Sequence, residues 1–152
     1  MVKVDFKSSQ KTLNIILANH GVLLFQTLNY HWNIVGREFH DYHLLFDKQY
    51  NQLFVQMDLV AERVRAVGGI ALGSMKEFAK ESILSEDVGA TPEPKVMVTN
   101  LLKQYELMIE HIRHTIEMLD EKTKDFGSIN MLEDLICQHE KTAWMLRSLS
   151  GK

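Results

Sequence analysis

The sequence has a single cysteine, Cys137, and only two prolines, Pro92 and Pro94, which lie close together. One cysteine excludes an internal disulfide framework and suits a reducing cytosol. Proline interrupts helices, so the long proline-free stretches on both sides of this pair favour helices over strands. No apolar run approaches the roughly 18 residues of a membrane span, and the N-terminus has no apolar signal core. We therefore expect a soluble cytoplasmic chain.

The sequence also lacks a strong charge of either sign. Its net charge is −3 over 152 residues, so there is no general basic field that argues for nucleic-acid binding. The composition, 45% hydrophobic and 24% charged, is that of an ordinary globular protein. We find no internal repeat, low-complexity segment or boundary, and therefore predict that residues 1–152 form a single domain with a substantial core.

Apolar residues recur every three or four positions in four long segments, which predicts four helices. They run from a cap at Ser8 or Ser9 to Gly36, from about Glu38 to Val67, from about Lys95 to Asp120, and from a cap at Ser128 to about Leu149. Short turns join them into two antiparallel hairpins. The connection between the hairpins holds a short helix-like piece, SMKEFAKES, and is long enough to run the full ~40 Å height of a bundle. This pattern predicts an all-α fold, the ferritin-like four-helix bundle with a short helix in the long crossover.

The second predicted helix carries two pairs of possible metal ligands, His43 with Asp47 and Asp58 with Glu62. At about 100° per residue, all four cluster roughly 110° away from the core stripe of that helix. A solvated face would explain such charges, since a pair of this kind four residues apart is usually a surface feature. The same sector, however, also carries apolar residues, as expected where one subunit meets another: Leu44, Phe54, Val55 and Leu59.

The two pairs are too far apart on one helix to share an ion, because Asp47 and Asp58 are separated by ~16 Å of helix. Two copies packed antiparallel about a two-fold axis would bring the His43/Asp47 half of one copy to the Asp58/Glu62 half of the other. His31, near the end of the preceding helix, is expected to add a further ligand. Imidazole and carboxylate ligands without thiolate suit iron, manganese or zinc.

The segment that holds these residues, NYHWNIVGREFHDYHLLFDKQYNQLFVQMDLVAERVRAVGG, resembles the signature of the Dps family (DNA-binding proteins from starved cells), small ferritins that form twelve-subunit shells. The shared elements are His31-Trp32-Asn33, Gly36, Phe39, His43, Asp47, Asp58-x-x-Ala61-Glu62-Arg63 and Gly68-Gly69. The resemblance covers essentially the whole chain. Larger ferritins use a Glu-x-x-His pattern inside one bundle, and its absence here favours a site between subunits.

The resemblance implies an iron-oxidising and iron-storing shell of twelve subunits that protects against oxidative damage. Fe(II) would bind, as two ions per site, to His31, His43 and Asp47 of one subunit and to Asp58 and Glu62 of its two-fold mate. The resemblance further implies ferroxidase activity, with hydrogen peroxide preferred over oxygen as the oxidant, and storage of ferric mineral inside the shell.

Two further roles follow from the resemblance. Trp32, beside His31, either traps a stray oxidising equivalent or packs in the interface. In the family an acidic three-fold pore near the start of the last helix admits Fe(II), and its candidates here are Asp120, Glu121 and Asp125. This chain has Asn130 where many relatives carry an acid.

The alternative function is a structural shell that binds and compacts DNA with little ferroxidase activity. Relatives that bind DNA usually do so through a flexible tail rich in Lys and Arg. This chain offers Lys3, Lys7 and Lys11 before the first helix and Lys152 at the far end. So few basic residues predict weak, salt-sensitive DNA binding at most, and association with the nucleoid only if DNA is bound.

Overall fold

The structure, a computed structural model, describes residues 4–89 and 92–151. Its helices are α1 (Phe6–Asn33), α2 (Phe39–Ala66), α3 (Met75–Glu81), α4 (Pro94–Lys122) and α5 (Phe126–Leu149). There is no strand within these described ranges, and none of the described helices is long and apolar enough to cross a membrane. The all-α prediction is confirmed.

The four long helices pack as two hairpins, α1 with α2 and α4 with α5, and α1 also packs against α4. Each helix buries one apolar stripe in a common core, as its helical period requires. Fully buried members from the four helices are Leu13, Phe46, Leu101 and Leu135. The predicted four-helix bundle with a long crossover is therefore confirmed.

Two predicted helix caps are wrong. Asp5 rather than Ser8 or Ser9 caps α1, and its carboxylate accepts the backbone N–H two residues further on. Asp125 rather than Ser128 caps α5, and it accepts the Ser128 N–H at 3.2 Å. Aspartate is as good an N-cap as serine, so each helix begins at the earlier of two competent residues. Because α1 starts at Phe6, Lys7 and Lys11 lie within the helix, not before it as was predicted.

A glycine follows each helix of the first hairpin. Gly36 has a φ of +125°, as expected, but it lies in the turn three residues beyond the end of α1 at Asn33 rather than at the helix cap. Gly68 has a φ of +81° directly after the cap residue of α2, which is the usual position for a left-handed residue that ends a helix. The short turn after α1 places the end of α1 beside the start of α2.

The crossover from α2 to α4 is held along α1 by amide side chains. The Gln10 amide donates to the Val67 carbonyl at 2.8 Å, at the end of α2. Further along α1, Asn14 and Asn19 accept backbone N–H groups of the crossover, those of residues 72 and 83, at 3.0 and 2.9 Å. Gln26 accepts the Asp87 N–H in the same way. These bonds satisfy crossover backbone groups that no helix or sheet pairs.

The short helix α3 packs directly on α1. It begins with a capping box, in which Ser74 and Glu77 satisfy each other's backbone N–H groups. The ring of Phe78 then lies against Gly21 of α1, so closely that a Cβ at Gly21 would be 2.7 Å from the ring. Position 21 therefore requires glycine, because a side chain there would collide with the Phe78 ring.

Candidate metal site

His31 at the end of α1 and His43 in the second turn of α2 form one stacked pair. Their ring centroids are 3.8 Å apart and the rings are inclined by 17°. The Nδ1 atom of His31 lies 2.9 Å from the His43 carbonyl oxygen, and the Nδ1 atom of His43 lies 2.8 Å from the His31 carbonyl oxygen. The short turn between α1 and α2 makes this reciprocal pairing possible.

These bonds determine the tautomer of both rings. A carbonyl oxygen only accepts, so each Nδ1 must carry the hydrogen and donate it. In the neutral imidazole the other nitrogen, Nε2, then holds the lone pair that binds a metal. His31 and His43 therefore present two Nε2 lone pairs whose orientation is fixed by the backbone, as the donor chemistry of a divalent transition metal requires.

Asp47 lies one turn beyond His43 on α2, and two neighbours hold it. The Tyr50 hydroxyl donates to Asp47 Oδ1 at 2.9 Å, and the Asn51 amide is 3.4 Å from Oδ2. The Tyr50 ring also meets His31 edge-on, with centroids 5.1 Å apart. Thus Tyr50 connects the carboxylate on α2 with the imidazole on α1.

Asp58 and Glu62 lie on the same helix but are not brought to this group. Both are exposed, and ~16 Å of helix separates Asp58 from Asp47. Large apolar side chains are exposed around them, which is the mixture predicted for a second packing surface: Leu44, Phe54, Val55 and Leu59. We call these four residues the exposed apolar face of α2.

One chain by itself does not complete a site. Within the described part of the chain, no three His, Cys, Asp or Glu side chains come together in a way that could hold a metal ion. The two imidazoles and Asp47, one turn after His43, are residue types suited to one half of a metal site, and Asp58 with Glu62 offer carboxylates that no described histidine joins. Completion of the site by a second copy remains a prediction.

Two aromatic residues flank the histidine pair. Phe39 stacks on His43 with centroids 4.9 Å apart, so it limits the motion of that ring. Trp32 is 64% exposed although it is large and apolar. Such exposure is compatible with either proposed role, interface packing or capture of an oxidising equivalent.

The three pore candidates lie in different environments. Asp120 and Glu121 are exposed, and Asp120 pairs with the Lys124 ammonium at 3.2 Å. Asp125 is only 3% exposed, and its carboxylate accepts from the Arg63 guanidinium at 2.7 Å and from the Ser128 hydroxyl at 2.6 Å. Because its charge is used inside the protein, we restrict the pore prediction to Asp120 and Glu121.

The environment of Asp125 also changes its acidity. Burial alone would raise the pKa of this carboxyl. The hydrogen bonds from Ser128 and from the Arg63 guanidinium outweigh burial, so the pKa lies below its ordinary value. The group therefore fastens the end of α2 to the start of α5.

A second histidine pair, His20 and His139, is fully buried in the middle of the bundle. Their Nε2 atoms are 3.2 Å apart, and His20 Nδ1 lies 2.8 Å from the Ile16 carbonyl oxygen. His20 must donate from Nδ1, so its Nε2 accepts the hydrogen that His139 donates from Nε2. Burial lowers the pKa of His20 to about 4 and lowers the pKa of His139 well below its ordinary value, the latter with a contribution from His20. Both rings are therefore neutral at pH 7, as suits a structural pair in the core.

Two residues that the sequence alone does not single out, Tyr50 and Arg63, hold a predicted ligand and the end of α2, respectively. Tyr50 lies three residues after Asp47, where helical side chains meet, and this spacing is the signal that could have indicated its role. Arg63 follows Glu62 directly, but its partner Asp125 is distant in sequence, so no local pattern indicates the pair.

The chain matches the family described as the ferritin-like domain over residues 10–152. It belongs to the ferritin-like family. The DNA protection during starvation protein 2 of Bacillus anthracis is 32% identical over 91% of this chain and 93% of that protein. The crystal structure of Dps from Staphylococcus aureus superimposes with a TM-score of 0.91 at 27% identity and covers 97% of both chains. Within the ferritin-like family, the chain is a member of the Dps family.

A further structural relative describes the wider group. The crystal structure of the Dps protein from Vibrio cholerae O1 has a TM-score of 0.89 at 29% identity, over 98% of this chain and 97% of that one. It is described as a member of a broad superfamily of ferritin-like diiron-carboxylate proteins. The predicted ferritin-like bundle and the predicted family are both confirmed.

Proposed function

We propose that this chain assembles into a shell of twelve copies that binds Fe(II) at sites shared by two-fold related subunits, oxidises it and stores the ferric product. Each site would take His31, His43 and Asp47 from one subunit and Asp58 and Glu62 from its mate, with room for two iron ions. Iron is here the substrate, and hydrogen peroxide is the preferred oxidant, with oxygen as a slower one. Removal of both reactants would protect the cell against oxidative damage.

The single observation that carries this proposal is the reciprocal pairing of His31 and His43. It leaves two Nε2 lone pairs oriented by the backbone. His43 lies one turn before Asp47 on a helix whose exposed apolar face also bears Asp58 and Glu62. An antiparallel copy would cover the apolar face and bring the carboxylates to the imidazoles at the same time. The diiron-carboxylate description of the Vibrio cholerae relative supports the choice of iron among the metals that the ligands suit.

The ligands favour oxidation of the bound iron. Carboxylate oxygens are hard ligands and stabilise Fe(III) more than Fe(II), so binding promotes loss of an electron. Two neighbouring Fe(II) ions supply the two electrons that one peroxide needs, and with two protons they give two Fe(III) and two water molecules. This stoichiometry avoids the one-electron reaction that releases a hydroxyl radical. Trp32 is proposed to intercept an oxidising equivalent that escapes, and Asp120 and Glu121 to line a pore that admits Fe(II).

The proposal is tested by stopped-flow Fe(II) oxidation with peroxide and with oxygen, on particles of measured mass. The parent should oxidise Fe(II) faster with peroxide and retain iron in the particle. The His31→Ala, Asp58→Ala double variant should lose most of this rate while keeping its mass. Oxidation and retention equal to the parent would show that these residues do not form the site.

The second candidate function, DNA compaction, is supported by the name of the Bacillus anthracis relative, which refers to DNA protection. Of the basic residues, Lys7 and Lys11 are exposed on α1, whereas Lys3 and Lys152 lie outside the described residues. We expect a mobility shift of DNA only at low salt, since few phosphate contacts are offered. A shift that persists at ~150 mM salt and disappears on removal of residues 1–7 would favour this function instead.

A further inference from the structure

Tyr50 contacts two of the proposed ligands, which come from two different helices. Its hydroxyl donates to Asp47 Oδ1 at 2.9 Å, and the edge of its ring packs on His31 with centroids 5.1 Å apart. The ring is partly buried on the side of α2 that faces α1. No other described side chain both bonds the Asp47 carboxylate and packs on the histidine pair.

The hydrogen bond leaves the two oxygens of Asp47 unequal. Oδ1 accepts from the Tyr50 hydroxyl at a normal distance, while Oδ2 has only the Asn51 amide at 3.4 Å, a long and weak contact. Asn51 donates better to the Asp47 backbone carbonyl, at 2.9 Å. Oδ2 is therefore the oxygen that remains available to an ion.

We propose that Tyr50 is a positioning residue for the metal site, which fixes Asp47 with Oδ2 directed to the ion and restrains His31 in its stacked orientation. This inference rests on the proposed function of the site, because it assigns Tyr50 a task in preparing that site. Tyr50 already restrains Asp47 and His31 in the single chain, so binding costs less side-chain entropy when the second copy adds its carboxylates.

The proposal predicts a specific loss when the hydroxyl is removed. Hydrogen-bonding partners of metal ligands typically change metal affinity by about 10–100-fold. Tyr50→Phe removes one oxygen and leaves the ring against His31, so the variant keeps its packing and should assemble normally. We expect it to bind a divalent ion roughly 10–100-fold more weakly than the parent.

The probe is Co(II), which air does not oxidise during the titration and whose visible absorption depends on its ligands. Titrations are made on assembled full-length particles of the parent, Tyr50→Phe and the control Tyr42→Phe. Tyr42 lies on the same helix and is more deeply buried, but its hydroxyl bonds none of the proposed ligands among the described residues. The control should bind Co(II) as the parent does, whereas Tyr50→Phe should show weaker binding and an altered absorption band.

A double-mutant comparison shows whether Tyr50 acts through Asp47. In an Asp47→Asn background, Tyr50→Phe should cause little further loss, because the carboxylate that it positions is gone. Equal losses in both backgrounds, or no loss in either, would overturn the positioning role while leaving the site intact.

The same titrations separate this inference from the function on which it rests. A parent that binds no Co(II), or a His31→Ala variant that binds it as tightly as the parent, would overturn the shared site and with it the role of Tyr50. Tight parent binding that depends on His31 but not on Tyr50 would overturn the role of Tyr50 alone.

Discussion

The His31 and His43 side chains show how much of a site depends on single atoms. The sequence indicates that both are ligands, but it does not indicate which ring nitrogen is free. That depends on the carbonyl oxygens that the two residues offer each other, at 2.9 and 2.8 Å. A pairing of this kind arises only when the end of one helix lies beside the start of the next, so it could not be predicted from ligand spacing.

Arg63 and Asp125 form the most buried ion pair in the described structure, with side chains 26% and 2% exposed. Arg63→Met should destabilise the protein by about 3–5 kcal/mol, because it leaves the Asp125 carboxylate buried without its counter-charge. Hydrogen bonds from Ser128, with a smaller contribution from Arg63, lower the folded-state pKa of Asp125. The ionised carboxylate therefore stabilises the protein above the ordinary carboxyl pKa and ceases to do so as the pH falls through the lower folded value. Urea denaturation of the parent and the variant at pH 7 measures the loss.

The matched control is Arg113→Met, which removes an arginine from an exposed pair with Glu140. Exposed pairs contribute about 0–1 kcal/mol, so this variant should unfold close to the parent. Equal destabilisation by the two substitutions would contradict the claim that breaking the buried Arg63–Asp125 pair costs more stability than breaking the exposed Arg113–Glu140 pair.

The buried pair of His20 and His139 predicts a dependence of stability on pH. The pKa of His20 is about 4 when folded and 6.5 when unfolded, so the unfolded state binds more protons between these values. Stability should therefore be full above pH ~6.5 and fall as the pH approaches ~4, by on the order of 3 kcal/mol for this one group. The midpoint of thermal unfolding between pH 7.5 and 4.5 measures it.

The chain has five other histidines, so a reference variant is required. In the His20→Leu, His139→Leu variant two apolar side chains replace the histidine pair. The parent and the variant should differ in how steeply the unfolding midpoint falls with pH, and this difference is the contribution of the pair. An acid-induced loss of the same size in both proteins would assign the effect to other groups.

At the scale of elements, the contact of α3 with α1 depends on Gly21. Gly21→Ala places a Cβ 2.7 Å from the Phe78 ring, and such overpacking typically costs about 1–3 kcal/mol. Gly73→Ala is the control, because a Cβ there meets nothing within 4 Å. Hydrogen exchange of the α3 amides should accelerate in Gly21→Ala and stay at the parent rate in Gly73→Ala. Equal exchange in the two variants would show that the close approach does not hold α3.

The elements could be predicted to different degrees, for physical reasons. The bounds of α2 follow from apolar periodicity and from Gly68, both of which are local signals. The starts of α1 and α5 were misplaced because Asp5 and Asp125 compete with nearby serines as caps, and local sequence does not rank them. The path of the crossover could not be predicted, because amides such as Asn19 hold it through contacts with residues about 60 positions away.

At the scale of the whole molecule, the proposed site depends on two-fold symmetry between two chains. The ~16 Å gap between Asp47 and Asp58 is a property of a straight helix and was readable from the sequence. The exposed apolar face of α2 in the single chain is what an isologous partner would cover. The metal and the oxidant do not follow from one chain, because one chain does not complete the site. The number of subunits does not follow either, because it depends on contacts between chains.

The most direct test of a site shared between two chains is complementation of two inactive variants. His31→Ala lacks a ligand of one half, and Asp58→Ala lacks a ligand of the other half. Shells co-assembled from equal amounts of the two chains should regain about a quarter of the parent's sites, because that fraction pairs an intact half from each chain. Stopped-flow Fe(II) oxidation by peroxide should show this recovery in co-assembled shells and none in a mixture of separately assembled ones. Absence of recovery in co-assembled shells of parental mass would contradict a site built from two subunits.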